Sequence, residues 1–187
     1  MSYDIAVIVG SLRKGSFTRM FANALIGVAP ASLRAQIVEI GELPLYNQDL
    51  EEAAEGPPAA WRTFRDRMHP VDGVVFATPE YNRSIPGCIK NAIDVGSRPY
   101  GKSVWQGKPA AVVSVSPGAM GGFGANHALR QSLVFLDMPA LQQPEAYIGG
   151  ADKLFDEHGK LVNEGTRGFA TKIMQAYAAW VERLRRS

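Results

Sequence analysis

The residues best equipped for chemistry lie in three short stretches, each following an apolar run. Residues 10–18 read Gly-Ser-Leu-Arg-Lys-Gly-Ser-Phe-Thr, with two glycines, three hydroxyls and two cations just ahead of a helical pattern. Free amides at a helix N-terminus, the helix dipole and donating hydroxyls all favour an anion, and Arg13 can neutralise its charge. The stretch therefore suits a phosphate. It lacks Gly-x-Gly-x-x-Gly, and Ser16 stands where Gly-x-x-x-x-Gly-Lys-[Ser/Thr] needs its lysine. A terminal monophosphate fits better than a dinucleotide or a nucleoside triphosphate. The plainer alternative is a basic, solvated strand-to-helix turn.

Residues 79–87, Pro-Glu-Tyr-Asn-Arg-Ser-Ile-Pro-Gly, have their path set by two prolines and a glycine. Tyr81 and Asn82 offer an aromatic face and amide groups to something flat and polar. A flavin ring would suit such a wall, since a protein tunes flavin chemistry through hydrogen bonds and charge near the ring. A rigid turn without a ligand is the alternative. Residues 116–124, Ser-Pro-Gly-Ala-Met-Gly-Gly-Phe-Gly, hold four glycines, which permit close approach of backbone to a planar ligand, or else a mobile lid. No triad, carboxylate dyad or cysteine–histidine arrangement accompanies these loops. Cys88 has no base beside it in the sequence and reads as a small packing residue.

Something must bring the three stretches together, and the hydrophobic pattern says what. Short apolar runs at 5–9, 35–40, 73–78 and 110–115, with a weak fifth at 140–142, read as strands. The first, third and fourth are nearly unbroken Val, Ile and Ala, as strands covered on both faces are. Between them, residues three and four apart form apolar stripes, from Phe17 to Val28, Trp61 to Met68, Pro86 to Val95, His127 to Leu136 and Ala170 to Leu184. Alternating strands and helices predict an α/β, doubly wound parallel sheet with helices on both faces. In such a sheet ligands bind beyond the carboxyl ends of the strands, which is where all three loops fall. The stretches 51–60 and 149–166 read as surface loops within a single domain spanning 1–187.

Composition excludes other classes. With 187 residues, 46% apolar, the chain can bury a core without a staple, and one cysteine rules out a disulfide framework. A net charge of +2 makes no electrostatic case for nucleic acid, and His69, His127 and His158 are too scattered for a zinc site. No apolar run approaches the roughly 18 residues of a spanning helix, and no targeting segment is visible. A cytoplasmic protein is expected. What the 19 glycines do is left open by composition alone.

The motifs Gly-Ser-Leu-Arg-Lys-Gly-Ser at 10–16, Thr-Pro-Glu-Tyr-Asn-Arg-Ser at 78–84, Lys-Asn-Ala-Ile-Asp at 90–94, Gly-Lys-Pro-Ala at 107–110 and Leu-Arg-Gln at 129–131 carry a specific resemblance. The chain resembles the NADPH-dependent FMN reductase family of flavodoxin-like proteins, in the branch of bacterial quinone, chromate and azo-dye reductases. The resemblance implies a sheet ordered 2-1-3-4-5 and FMN bound non-covalently at the strand ends. Ser11, Arg13, Ser16, Phe17 and Thr18 would surround the FMN phosphate. Pro79, Glu80, Tyr81, Asn82 and Arg83 would line the isoalloxazine ring, largely through backbone atoms, and Ser116, Pro117 and Gly118 would meet its pyrimidine side. Many relatives carry tyrosine where Arg83 stands and arginine where Gly124 stands, so Arg83 is expected to meet Glu145 across a subunit boundary. Arg98 would hold the phosphate of NAD(P)H, or else form an interface salt bridge, in a homodimer or homotetramer.

The implied reaction is ping-pong hydride transfer from NAD(P)H to FMN and on to quinones, flavins, azo compounds, ferric chelates or chromate. The alternative is a flavodoxin-type module exchanging single electrons with protein partners, which the near-neutral charge and Arg13 disfavour. A nucleotide-binding regulator without redox chemistry would instead be colourless.

Overall fold

Runs that are apolar at every position must be shielded on both sides, and the structure shows how. In a computed structural model, which describes residues 2–185, five parallel strands form one sheet in the order β2-β1-β3-β4-β5. They are β1 (Tyr3–Val9), β2 (Leu33–Val38), β3 (Gly73–Thr78), β4 (Ala110–Val115) and β5 (Ala146–Ile148). Side chains alternate between faces. Val7, Val9, Val75, Ala77, Ala111 and Val113 pack under α1 (Phe17–Gly27) and α6 (Glu164–Arg185), against Phe21, Leu25, Ile173 and Tyr177. Ala6, Ile8, Val74, Phe76 and Val112 meet Trp61, Phe64, Ile89, Leu129 and Leu133 on the other face. Those come from α3 (Ala59–Met68), α4 (Gly87–Gly96) and α5 (Phe123–Phe135), and a single turn, α2 (Gln48–Glu51), precedes α3.

β3 and β4 begin and end where the apolar runs do, while β2 lies two residues earlier than its run. The fifth strand is a correction. It occupies Ala146–Ile148, and at 140–142 only an isolated bridge joins Ala140 to Ala110. Three residues are too few to stamp a pattern on the sequence, and Pro139 and Pro144 flank the segment that carried the apolar signal. α5 starts at Phe123, four residues before its expected start, because a left-handed Gly122 opens it and glycine hides helical periodicity. α6 starts at Glu164, behind Asn163, whose Oδ1 accepts from Thr166 N at 2.8 Å as a cap. The supposed loop 149–166 thus holds the first turn of that helix, and a short 3-10 turn at Ala151–Lys153.

Polar side chains fasten the layers where the sheet cannot. Asn126, fully buried on α5, donates to Ala146 O at 3.3 Å and Ser114 Oγ at 3.3 Å and accepts from Arg130 Nε at 2.9 Å. Asn91 on α4 donates to the carbonyls of Leu43 and Pro44, both at 3.0 Å, and accepts from Tyr46 N at 2.8 Å. Lys108, from the Gly-Lys-Pro-Ala motif, ends α3 by donating to Met68 O at 2.5 Å and His69 O at 3.0 Å. Burial lowers its ammonium to about 8. Three of the motif residues are therefore architectural. Among the described residues no helix is long and apolar enough to cross a membrane, and no cluster of His, Cys, Asp and Glu could hold a metal.

Candidate functional site

β1, β3 and β4 are neighbours in the sheet, so the loops that leave their carboxyl ends must converge. They enclose a cleft lined by Ser11, Arg13, Ser16, Phe17, Thr18, Pro79, Glu80, Tyr81, Val115, Ser116 and Pro117. Of the residues expected around a cofactor, only Asn82, Arg83 and Gly118 do not line it, and those three belong to the same loops. Val115, the last residue of β4, is an addition.

The first wall is the entry to α1. Ser16 caps the helix, its Oγ accepting from Arg19 N at 3.2 Å. The amides of Phe17 and Thr18, in the first turn, have no carbonyl four residues back to take them. Ser11 and Thr18 are buried, yet among the described residues their hydroxyls have no hydrogen-bond partner. Arg13 is exposed and no carboxylate among those residues pairs with it. Arg19, by contrast, is committed to Glu39 at 2.7 and 2.8 Å. Two hydroxyls, a helix N-terminus and an uncommitted guanidinium form a donor set with no acceptor among the described residues, which is what a phosphate monoester supplies.

Gly10 serves the wall in another way. A Cβ there would overlap Ile89 Cδ1 and stand 3.1 Å from Pro79 Cδ, so glycine lets α4 and the second loop close against β1. Cys88, beside Ile89, points its Sγ at Gly10 O, 3.4 Å away, and burial raises its thiol above the usual range. That makes it a packing residue, as its sequence surroundings indicated.

The second wall is a tight hairpin. Tyr81 and Ser84 exchange both backbone hydrogen bonds at 3.0 Å, with Asn82 at φ 52° and Arg83 at φ 64° between them. Positive φ at both central residues is the mirror-image turn that matches strand twist. Asparagine tolerates it, whereas arginine is strained there. What holds Arg83 is Glu80, whose carboxylate accepts from Arg83 Nη1 at 2.9 Å and from Ala125 N, in the first turn of α5, at 3.1 Å. Arg83 thus has a carboxylate partner within its own chain. In the same chain Glu145 engages Tyr147, whose hydroxyl is raised by burial first and by that carboxylate second.

The third wall is tied down. Ser116 Oγ accepts from Gly118 N at 3.1 Å, and Ser116 N donates to Ile148 O at 2.9 Å. Gly121, at φ 59°, is pressed against the backbone of Tyr147. This loop is anchored to β5 and does not have the loose packing of a lid. Beyond it stands a rim that no motif marks. Phe123 packs on His127 with ring centroids 4.3 Å apart and on Tyr147 at 5.3 Å, and His127 Nε2 lies 2.9 Å from the Tyr147 hydroxyl. Phe123 and His127 are four apart on α5, but the third ring, Tyr147, comes from β5, so no pattern along the chain marks the group.

Arg98 does not join this group. It follows α4, whose ten residues lead away from the cleft over about 15 Å. Its Nη1 donates to Ser97 Oγ at 3.1 Å, and its guanidinium lies over the Tyr100 ring at 5.7 Å. Within one chain it is thus a helix length from the loops that line the cleft.

This fold and much of the sequence recur in known proteins. Residues 3–153 match the family model described as NADPH-dependent FMN reductase. A quinone reductase from Pseudomonas putida is 64% identical over 180 residues, covering 96% of this chain and 95% of its own. A 2-hydroxy-1,4-benzoquinone reductase from a Burkholderia species is 45% identical, covering 97% of both chains. The solved structure of FerB, a flavoenzyme NAD(P)H:(acceptor) oxidoreductase from Paracoccus denitrificans, superposes with a TM-score of 0.89 at 39% identity. It covers 97% of this chain and 98% of that one.

Proposed function

Because the chain belongs to the NADPH-dependent FMN reductase family, we propose that its cleft carries FMN for an NAD(P)H-dependent quinone reductase working by a ping-pong scheme. Overall, NAD(P)H and one proton are consumed and a quinone gains two electrons and two protons to become a hydroquinone. The observation that carries the reading is the unspent donor set of Ser11, Thr18, Arg13 and the α1 N-terminus. Bound there, FMN supplies two-electron carriage, with hydride taken up in one half-reaction and passed on in the other.

The protein's own part is position. Ser11, Ser16, Phe17 and Thr18 hold the phosphate with Arg13 balancing its charge. Pro79 to Arg83 and Ser116 to Gly118 bound the ring, and the cleft lining holds one carboxylate, no histidine and no cysteine, which suits chemistry that needs no triad or dyad. Glu80 is spent on Arg83 and α5, so its contribution to the ring is backbone. An open cleft also accords with a broad acceptor range, taking in free flavins, azo compounds, ferric chelates and chromate besides quinones. The proposed setting is the cytoplasm, where NAD(P)H is supplied. A dimer or tetramer accords with Tyr100, Val134 and Phe135, all about four-fifths exposed on the α4 and α5 side. In such an assembly Arg98 would hold the phosphate of a nicotinamide nucleotide bound at a partner's cleft.

Initial rates measured against NADPH at several fixed quinone concentrations test the scheme. Parallel double-reciprocal lines are expected. Intersecting lines would require both substrates to be bound together, and the absence of NAD(P)H-linked turnover would favour the flavodoxin-type module.

A further inference from the structure

We propose that Arg83 determines acceptor specificity. Beside the exposed Met120 and Phe123 it receives flat acceptors that carry a negative oxygen next to a carbonyl, the chemistry of an ionised 2-hydroxyquinone. The inference rests on the reductase reading; a hydroxyquinone acceptor is already in the name of the Burkholderia relative, and what is added is the residue that would select it.

Arg83 occupies a place in the hairpin where glycine would be at ease, at φ 64°, and its guanidinium is 74% exposed. An exposed side chain in a strained backbone is nonetheless fixed. Both of its contacts run through Nη1, to Glu80 Oε1 at 2.9 Å and to Met120 Sδ at 3.7 Å. Glu80 is itself only 12% exposed and tethered to the first turn of α5. Among the described residues Nε and Nη2 have no partner, and these two nitrogens form one edge of the guanidinium fork. Two parallel N–H groups are thus held ready at the rim of the cleft.

What lies beside that fork is apolar. Tyr81, Met120 and Phe123 are each close to half exposed, and the Phe123 ring is braced from behind by His127 and Tyr147. A flat, weakly polar ring can lie on such a rim, and the fork then reads two oxygens in its plane. A 2-hydroxyquinone is a vinylogous carboxylic acid, ionised at neutral pH through conjugation with the far carbonyl, and its charged oxygen and the neighbouring carbonyl oxygen sit on adjacent carbons, side by side in the ring plane where one guanidinium edge can meet both. That is the acceptor geometry an arginine fork recognises and a lysine point charge does not. Glu80 balances the charge of Arg83, so the site selects by paired oxygens at short range and not by a broad positive field.

The test uses the FMN-loaded protein with 1,4-naphthoquinone and 2-hydroxy-1,4-naphthoquinone as acceptors, comparing wild type with Arg83→Gln and Arg83→Lys. The ratio of kcat/KM for the ionised over the neutral quinone is expected to fall about tenfold in Arg83→Gln, with only partial recovery in Arg83→Lys. Binding of the ionised quinone to the oxidised protein, read from its perturbation of the flavin spectrum, should weaken by a similar factor. This second readout needs no turnover. An unchanged ratio and unchanged binding would overturn the proposal. So would a rise in KM for NADPH with the ratio unmoved, which would assign the cation to the donor's phosphates. Failure of wild type to reduce the neutral quinone would instead strike the reductase reading itself, while the binding comparison would still decide the role of Arg83.

Discussion

Arg13→Ala is expected to raise the dissociation constant for FMN roughly 30- to 150-fold, about 2–3 kcal/mol, the worth of a charge-assisted contact to phosphate. The size follows from what the arginine does in the protein, which is nothing else. It is exposed and pairs with no carboxylate among the described residues, so its removal leaves the ligand-free fold intact. Ser16 keeps its cap on α1 in the variant, and the loop keeps its path. Titration of the flavin-free protein with FMN, followed by flavin fluorescence, measures the change. Melting of the same flavin-free protein should be unaltered. An unchanged FMN affinity would place the phosphate away from residues 10–18.

Gly121→Ala is expected to cost about 2–5 kcal/mol of stability, combining a left-handed alanine with overpacking against fixed backbone. The residue has φ 59°, and an added Cβ would stand 2.6 Å from Tyr147 C and 2.9 Å from Ile148 N. Backbone cannot swing aside as a flexible side chain can. The strand affected, β5, is three residues long and pairs only with β4, so it has little with which to resist displacement. A melting temperature lower by roughly 5–15 °C is the expected reading in a thermal scan. Gly118→Ala is the matched comparison, because its nearest neighbour would be Ser116 Oγ at 3.4 Å and its melting should barely move.

These two variants also mark where the sequence was legible. β1, β3 and β4 could be read because each is buried on both faces and apolar throughout, and once they were placed, the strand-end rule located the cleft. The residue types of the first loop point to an anion, since hydroxyls, glycines and a cation before a helix are donors without acceptors, and the structure leaves that donor set unpaired among the described residues. Glycine was harder to interpret. Gly10 and Gly121 look like openings for a ligand, but they let Ile89 and β5 pack closely, information that resides in distant residues. β5 itself was misplaced because its burial is set by β4 and Asn126 and its own three side chains say little. The rim of Met120, Phe123, His127 and Tyr147 was invisible for the same reason, as it forms only when α5 and β5 lie side by side. Arg98 was assigned by resemblance, and only the direction of α4 shows that it leaves the cleft of its own chain.

The central claim is that residues 10–18, 79–83 and 116–118 hold an FMN that NAD(P)H reduces and a quinone reoxidises. It is tested most directly by mixing the FMN-loaded protein with one equivalent of NADPH without oxygen, then adding 1,4-benzoquinone. The visible flavin band should bleach on the first addition and return in full on the second, with one hydroquinone formed per NADPH. A flavin band that persists after NADPH, or a protein that takes up no FMN at all, would contradict the account.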